Sequence, residues 1–296
     1  MVTLGFDVGG SSVKHAIVGE NGTILEKGKF TTPDNLEKFF AELESTYKNY
    51  NKNHEINGVA FSLPGAVDNE SGIIGGSSAI DYIHNFDIKV EFEKIFNLPV
   101  AMENDANCAA LGEVWIGAAK DYDDIAFLVL GSGVGGAIVK NRRIHQGKHF
   151  HGGEFGYMVM DDEYHHLSEI ASTVNMAKNI AKAKNLPEDK INGEIAFKLA
   201  NEGDTIAQRE LAKMYEYLAR AIYNIQYCFD PQLFVIGGAV SVREDLIDNI
   251  EKHIAKIMAK ITAAKITPKI THCKFGNDAN ILGAVYNLKT QNFLNI

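Results

Sequence analysis

The chain has 296 residues, 46% hydrophobic, with 29 Lys and Arg against 38 Asp and Glu for a formal charge of -9. Such a length and apolar content can fill two cores of ordinary size. An acidic balance without a Lys/Arg run argues against nonspecific nucleic-acid binding. No apolar stretch reaches the ~18 residues of a membrane span, and the first residues run straight into a strand. A soluble, cytoplasmic protein with no membrane or nucleic-acid partner is therefore expected. Cys108, Cys228 and Cys273 are too scattered for a disulfide framework and are expected to pack as small apolar side chains.

Residues 2 to 30 read as strand, turn, strand, turn, strand. Val2–Asp7 leads to Gly9-Gly10, Val13–Val18 follows, and Thr23-Ile24-Leu25 comes after Glu20-Asn21-Gly22. In the first turn the glycines let main-chain N–H groups approach an anion, Ser11 and Ser12 add hydroxyls, and Asp7 can hold Mg2+ through water. The same residues also suit a plain tight hairpin. An amphipathic helix follows with Leu36, Phe39, Phe40, Leu43 and Tyr47 on one face. Ile56–Ser62 is a buried strand ending at Leu63-Pro64-Gly65, and the apolar run Leu98–Met102 enters Glu103-Asn104-Asp105-Ala106-Asn107. That junction places Asp105 where the partly positive N–H groups of a helix start hold a carboxylate ionised. An ordinary helix cap needs nothing more, but an ionised, aimed carboxylate is also what a hydroxyl requires before it attacks phosphorus.

The second half repeats the opening. Ile125–Leu130 enters Gly131-Ser132-Gly133-Val134-Gly135-Gly136 and returns along Ala137-Ile138-Val139, as though one fold were duplicated. The run matches G-x-G-x-x-G, yet a dinucleotide site needs a helix after it and here a strand follows. No G-x-x-x-x-G-K-[ST] occurs either. Helices are predicted over about 168–228, with Met214, Leu218, Ile222 and Ile225 in one buried stripe. Leu233–Ile236 then reaches Gly237-Gly238, a flat backbone on which a purine or its phosphates can rest, though the pair equally suits an αL turn between strand and helix, and a last helix occupies about 277–290.

These motifs, in this order, resemble the ROK family of sugar kinases and sugar-responsive repressors, within the actin-like and hexokinase-like ATPases. The matches are Asp7–Ser11, Leu63–Gly65, Glu103–Asn107, Gly131–Gly136, Gly152-Gly153-Glu154-Phe155-Gly156, Ser168–Ser172 and Phe234–Gly238. The resemblance implies an α/β, two-domain actin/hexokinase-like (ribonuclease H-like) ATPase fold with a cleft between the domains. Residues 1–117 with a C-terminal helix, 277–296, would form a smaller sugar-cleft domain, and 118–276 a larger nucleotide-binding one. It further implies Asp105 as the general base on a sugar O6, with Asn104, Glu154 and Glu169 bonding other hydroxyls and Gly65 approaching the ring. Gly9, Gly10, Ser11, Ser12, Gly131, Ser132 and Gly133 would cradle the ATP phosphates, with Gly237 and Gly238 beside the adenosine. ATP and Mg2+ are the implied cofactors, and a homodimer is what the family implies.

The chain departs from that pattern in one region. Tyr157 stands where many members carry a zinc-binding His, and Asp161–Leu167 has no cysteine where the zinc loop would be. No structural zinc is expected. His145, His149, His151, His165 and His166 read as surface residues, and Tyr157 is expected to supply a sugar contact. The expected activity is ATP-dependent phosphorylation of the 6-hydroxyl of a hexose or N-acylhexosamine. Within the family the chain resembles the zinc-lacking branch of N-acetylmannosamine kinases and β-glucoside kinases. N-acetylmannosamine is the expected sugar, since Ser78-Ala79 can leave a small recess for an N-acetyl group, though the same residues also suit an ordinary surface loop. A glucokinase or β-glucoside kinase is the alternative. A sugar-responsive regulator is a further alternative, but Met1 leads directly into the first strand, with no room for the ~60-residue helix-turn-helix arm expected of a repressor.

Overall fold

The computed structural model describes residues 1–292. Its chain divides into two compact units: Met1–Asp121 with Gln146–His151 and the chain from Asn277 onward, and Tyr122–His145 with Gly152–Gly276. The break thus falls at Asp121 rather than at 117, and a six-residue excursion, Gln146–His151, joins the first unit. The Gln146 side chain explains the excursion, since its amide donates to Glu103 and to the Val67 carbonyl.

In the first unit, β1 (Val2–Val8), β2 (Ser12–Gly19), β3 (Ile24–Thr31), β4 (Ile56–Leu63) and β7 (Val100–Asn104) form a sheet ordered β3-β2-β1-β4-β7. The first three strands are an antiparallel meander, while β4 and β7 run parallel to β1. Helix α1 (Leu36–Tyr50) starts on Asn35, whose side chain accepts the Lys38 N–H, and buries Phe39 and Leu43 as its periodicity predicts. Helix α2 (Ile88–Phe96) and a small hairpin of β5 (Ala66–Asp68) and β6 (Ile73–Gly75) have no counterpart in the sequence reading. Phe92 of α2 stacks on Phe61 at 4.1 Å between ring centroids, and Phe61 stacks on Phe6 at 5.1 Å. This aromatic column ties α2 to two central strands.

Helix α3 (Asp105–Ile116) follows β7 and packs against α9 (Ala279–Asn292). The rest of the expected 277–296 segment, residues 293–296, lies outside the described residues. Glycines make the crossing close: a Cβ on Gly283 would lie 1.6 Å from the Cys108 carbonyl oxygen, and one on Gly112 2.5 Å from the Ala279 carbonyl oxygen. Both obstacles are backbone, so Gly283→Ala must push the helices apart. We expect a loss of about 1–3 kcal/mol or more, read as a lower urea midpoint with an unchanged m-value. An unchanged midpoint would show that α9 can slide without cost.

The second unit repeats the first sheet. Strands β8 (Ile125–Leu130), β9 (Val134–Lys140), β10 (Arg143–Ile144), β11 (Leu233–Gly237) and β12 (Ile270–His272) are ordered β10-β9-β8-β11-β12, with β11 parallel to both β8 and β12. The duplicated opening hairpin therefore extends to a duplicated five-strand topology. Helices α4 (Leu167–Ala171), α5 (Thr173–Ala183), α6 (Gly193–Asn201), α7 (Thr205–Phe229) and α8 (Asp245–Lys260) cover it. Met214, Leu218, Ile222 and Ile225 of α7 are all buried. Among the cysteines only Cys108 packs as expected; Cys228 is exposed on α7 and Cys273 is half-buried. No helix among the described residues is long and apolar enough to cross a membrane.

Candidate functional site

Asp105 is the first residue of α3 and is exposed, one step after the strand ends. The cap is not Asp105 but Asn104, whose Oδ1 accepts the N–H groups of Ala106 and Asn107 at 2.9 and 3.2 Å. Asp105 Oδ1 accepts the Ala106 N–H at 2.8 Å. Asn104 also donates Nδ2 to the Gly65 carbonyl at 3.0 Å, joining the two motifs. Gly65 has a φ of 99° and is hemmed in by the Gly75 carbonyl, Ile74 and His84, so only glycine fits there.

The turn is braced from below by Glu103, a residue the sequence reading left without a role. Its carboxylate is buried at 4% exposure and accepts from Asn104 N–H (2.8 Å), Asn107 Nδ2 (2.9 Å) and Gln146 Nε2 (3.0 Å). Burial pushes the Glu103 carboxyl up overall, and those three donors offset it only in part. Every partner donates, which suits a carboxylate. Burial raises the nearby Cys108 thiol far above its usual range, and the charges of Glu103, Asp7 and Asp105 raise it further. Three acidic groups thus bear on this one point in the first unit.

Asp7, at the end of β1, is 8% exposed and fully engaged. Its Oδ1 accepts Ser62 Oγ at 2.9 Å and Asn280 Nδ2 at 3.0 Å, and its Oδ2 pairs with Lys14 Nζ at 3.1 Å. The Gly9–Ser12 turn is closed by Gly9 N–H to the Ser12 carbonyl and steadied by Thr32 Oγ1 on the Gly9 carbonyl. Against Gly10 lies Ala79: a Cβ on Gly10 would meet the Ala79 methyl at 2.8 Å. Ser78 Oγ, meanwhile, is 2.8 Å from His84 Nε2 and accepts the Ile80 N–H at 3.1 Å.

In the second unit the Gly131–Gly133 turn is held by residues 34 and 42 positions away. Ser168 Oγ accepts Val134 N–H and donates to the Val134 carbonyl, while Thr173 Oγ1 donates to the Gly131 carbonyl. A strand, β9, follows the turn, as the rejection of a dinucleotide site requires. The glycines around Glu154 have a packing cause: a Cβ on Gly153 would lie 2.7 Å from Ala137 Cα, and one on Gly156 2.1 Å from the Val134 carbonyl. Glu154, Tyr157 and Glu169 all reach solvent, Tyr157 at 72% exposure. His166 lies among them, its ring 6.3 Å from Tyr157 and its Nε2 4.0 Å from Glu169. The Gly156 carbonyl, 3.2 Å from His166 Nδ1, can only accept, so Nδ1 carries a hydrogen.

Gly238, with φ 92°, has the Leu130 carbonyl 2.1 Å from where a Cβ would be. Beside it a cavity of about 680 Å³ is lined by Thr173, Phe197, Ala239, Val240 and Arg243. The Arg243 guanidinium lies over the Phe197 ring at 4.1 Å. Neither Phe197 nor Arg243 carries a local motif. Among the described residues no group of three His, Cys, Asp or Glu side chains could hold a metal ion.

With this geometry in view, the ROK family model matches residues 3–291. A β-glucoside kinase from Listeria monocytogenes is 33% identical over 288 residues, covering 95% of each chain. A ROK family protein from Streptococcus pneumoniae, solved with sucrose, superposes with a TM-score of 0.91 at 33% identity, covering 99% of this chain and 100% of that one. A protein provisionally described as an N-acetylmannosamine kinase, from Listeria monocytogenes, gives 0.88 at 30% identity, with coverage of 99% and 100%.

Proposed function

We propose, because the chain belongs to the ROK family and is an ATP-dependent sugar kinase, that it phosphorylates the 6-hydroxyl of a glucose-configured hexose carried as a β-glucoside. One observation carries the chemistry: Asp105 stands exposed at a helix start whose capping is done by Asn104. Asp105 takes the proton of the sugar O6 as that oxygen attacks phosphorus, a task typically worth ~10²- to 10⁴-fold. Asn104 keeps one Nδ2 hydrogen for a ring hydroxyl and fixes Gly65 against the ring. In the second unit Glu154, Glu169 and Tyr157 take further hydroxyls. His166, beside Tyr157 and Glu169, turns its Nε2 toward the Glu169 carboxylate.

Gly9, Gly10, Ser11 and Ser12 in the first unit, and Gly131, Ser132 and Gly133 in the second, offer main-chain N–H groups and hydroxyls to the ATP phosphates. Gly237 and Gly238 lie beside the adenosine. Phosphoryl transfer asks mainly for alignment and charge neutralisation, which these groups supply. The donor set at Asp7 fits Mg2+ held through water. Its oxygens already carry Ser62, Asn280 and Lys14, and Mg2+ keeps several waters while taking phosphate oxygens. Mg2+ there would offset charge on those oxygens. Phe197→Leu keeps a large apolar side chain but loses the aromatic face under Arg243. It is expected to raise the KM for ATP about threefold to tenfold and to leave the KM for sugar unchanged; equal changes in both would remove Phe197 from the nucleotide site.

Two observations favour a β-glucoside over the expected N-acetylmannosamine. Ser78 Oγ, which was to border an N-acetyl recess, is already engaged, 2.8 Å from His84 Nε2 and accepting the Ile80 N–H. The curated relatives at 32–33% identity include three β-glucoside kinases. N-acetylmannosamine is the second reading, favoured by the similarity to the provisionally described kinase. Coupled ADP release against cellobiose, glucose, N-acetylmannosamine, N-acetylglucosamine and fructose decides between them. We expect the highest kcat/KM with cellobiose. A tenfold preference for N-acetylmannosamine would restore the second reading, and no sugar-dependent release at all would indicate a non-catalytic regulator.

A further inference from the structure

We propose that Ser168 is a positioning residue that couples sugar binding to nucleotide binding within the second unit, so that each ligand tightens the hold on the other. The proposal rests on the sugar role given above to Glu169 and the phosphate role given to the Gly131–Gly133 turn. Strand β9 has β8 along one side, while β10 reaches only its far end, at Val139 and Lys140. Near the turn, Ser168 stands in for a neighbouring strand. Its Oγ accepts the Val134 N–H at 2.9 Å and donates to the Val134 carbonyl at 3.1 Å, which satisfies both main-chain groups of that residue.

A serine hydroxyl has one hydrogen, and Ser168 gives it to Val134. It therefore acts through the residues on either side of that bond rather than by donating to a ligand. On one side, Val134 directly follows the turn: a Cβ on Gly133 would lie 3.2 Å from Ser168 Oγ, and Ser132 at the tip is exposed. On the other side, Ser168 belongs to α4 and its neighbour in the chain is Glu169, also exposed. Helix α4 is anchored, since Leu167, Ile170 and Ala171 are buried and Asn175 Nδ2 donates to the Ser168 carbonyl at 3.3 Å. At the start of α5, Thr173 Oγ1 adds a second tie, to the Gly131 carbonyl at 3.0 Å. A sugar that fixes Glu169 thus fixes Ser168, and through Val134 the turn that meets the phosphates. Ordering one end leaves less entropy to be lost in ordering the other, and such a coupling is reciprocal.

Cellobiose is titrated calorimetrically with and without a saturating non-hydrolysable ATP analogue, and the analogue with and without cellobiose. In the parent protein each ligand should tighten the other by at least about fivefold, and by the same factor in both directions. Ser168→Ala should bring that factor to within about twofold of unity. A merely structural role for Ser168 would weaken both affinities and leave the factor unchanged, which overturns the proposal, as does a parent protein without synergy. If Ser168→Ala does not fold, Ser168→Cys, with its weaker donor and acceptor, takes its place: the factor should fall to about half or less, and an unchanged factor overturns the coupling. Glu169→Gln separates the two readings and should weaken cellobiose binding by at least about threefold. No effect there means that the sugar role of Glu169 has failed and this proposal with it. A clear effect there, beside an unchanged factor in Ser168→Ala, sinks the coupling alone.

Discussion

Asp105→Asn should lower kcat by about 10²- to 10⁴-fold while sugar binding stays within about tenfold. The amide keeps the size and planarity of the carboxylate and loses only its basicity. The local fold should tolerate the change, because Asn104 rather than Asp105 caps α3. The carbonyl oxygen of the new amide can still accept the Ala106 N–H that Asp105 accepts at 2.8 Å. A thermal midpoint close to that of the parent would confirm this, and calorimetric titration with sugar gives the binding term separately. Retained turnover would take Asp105 out of its role. Loss of binding together with turnover would make it a ligand of the sugar rather than its base.

Glu103→Ala is expected to be the most damaging change to the frame around that base. It leaves the Asn104 N–H, the Asn107 amide and the Gln146 amide without their acceptor in a buried place. At 1–3 kcal/mol for each stranded donor the cost is roughly 3–9 kcal/mol, less whatever water can enter. Glu103→Gln should cost less, since its carbonyl still accepts the first two while its amide opposes that of Gln146. Adding Gln146→Glu reverses the last pair and should recover both stability and kcat. Failure of the double variant to improve on Glu103→Gln would show that the Gln146 contact does not matter. A urea series on the parent and these variants, with kcat measured on each, gives the coupling directly.

The features legible in the sequence are those made by neighbours along the chain. The strand-to-helix junction at Asn104-Asp105 needs only an apolar run, a capping amide and a helical period. The two glycine turns and the meander they open are equally local, and the repeat of the first in the second foretold the repeated sheet order. What escaped depends on residues far apart. Glu103 meets Gln146 across 43 positions, and Ser168 and Thr173 reach back 34 and 42 positions to the second glycine turn. Phe197 and Arg243 meet from two segments that share no motif. Helix α2 was missed because its apolar residues, Ile88, Phe92 and Phe96, span only nine residues between turn-rich stretches. The contacts of Ser78-Ala79 were equally out of reach: Ser78 Oγ meets His84 Nε2 and the Ile80 N–H, and the Ala79 methyl lies against Gly10, far away in the chain.

The site also shows what this chain does in place of a zinc loop. The stretch from Gly156 to Glu169 is tied by side chains to its own unit. His166 Nδ1 meets the Gly156 carbonyl, and Asp161 holds His165 Nδ1 at 3.0 Å and the Tyr217 hydroxyl at 3.2 Å. Hydrogen bonds therefore fix the loop between Glu154 and Glu169 where thiolates would otherwise do so. Desolvation raises the Asp161 carboxyl, but the hydrogen bonds and charge of His165, with the Tyr217 hydroxyl, outweigh it and lower the group overall.

The measurement that bears most directly on the central claim is the position of the new phosphate ester. Parent protein, ATP, Mg2+ and cellobiose are incubated, and the product is read by proton–phosphorus correlation NMR. The account predicts one phosphorus signal coupled to the two protons of a hexose C6, formed in step with ADP. A signal coupled to an anomeric or ring proton, or ADP released without any sugar ester, would contradict it.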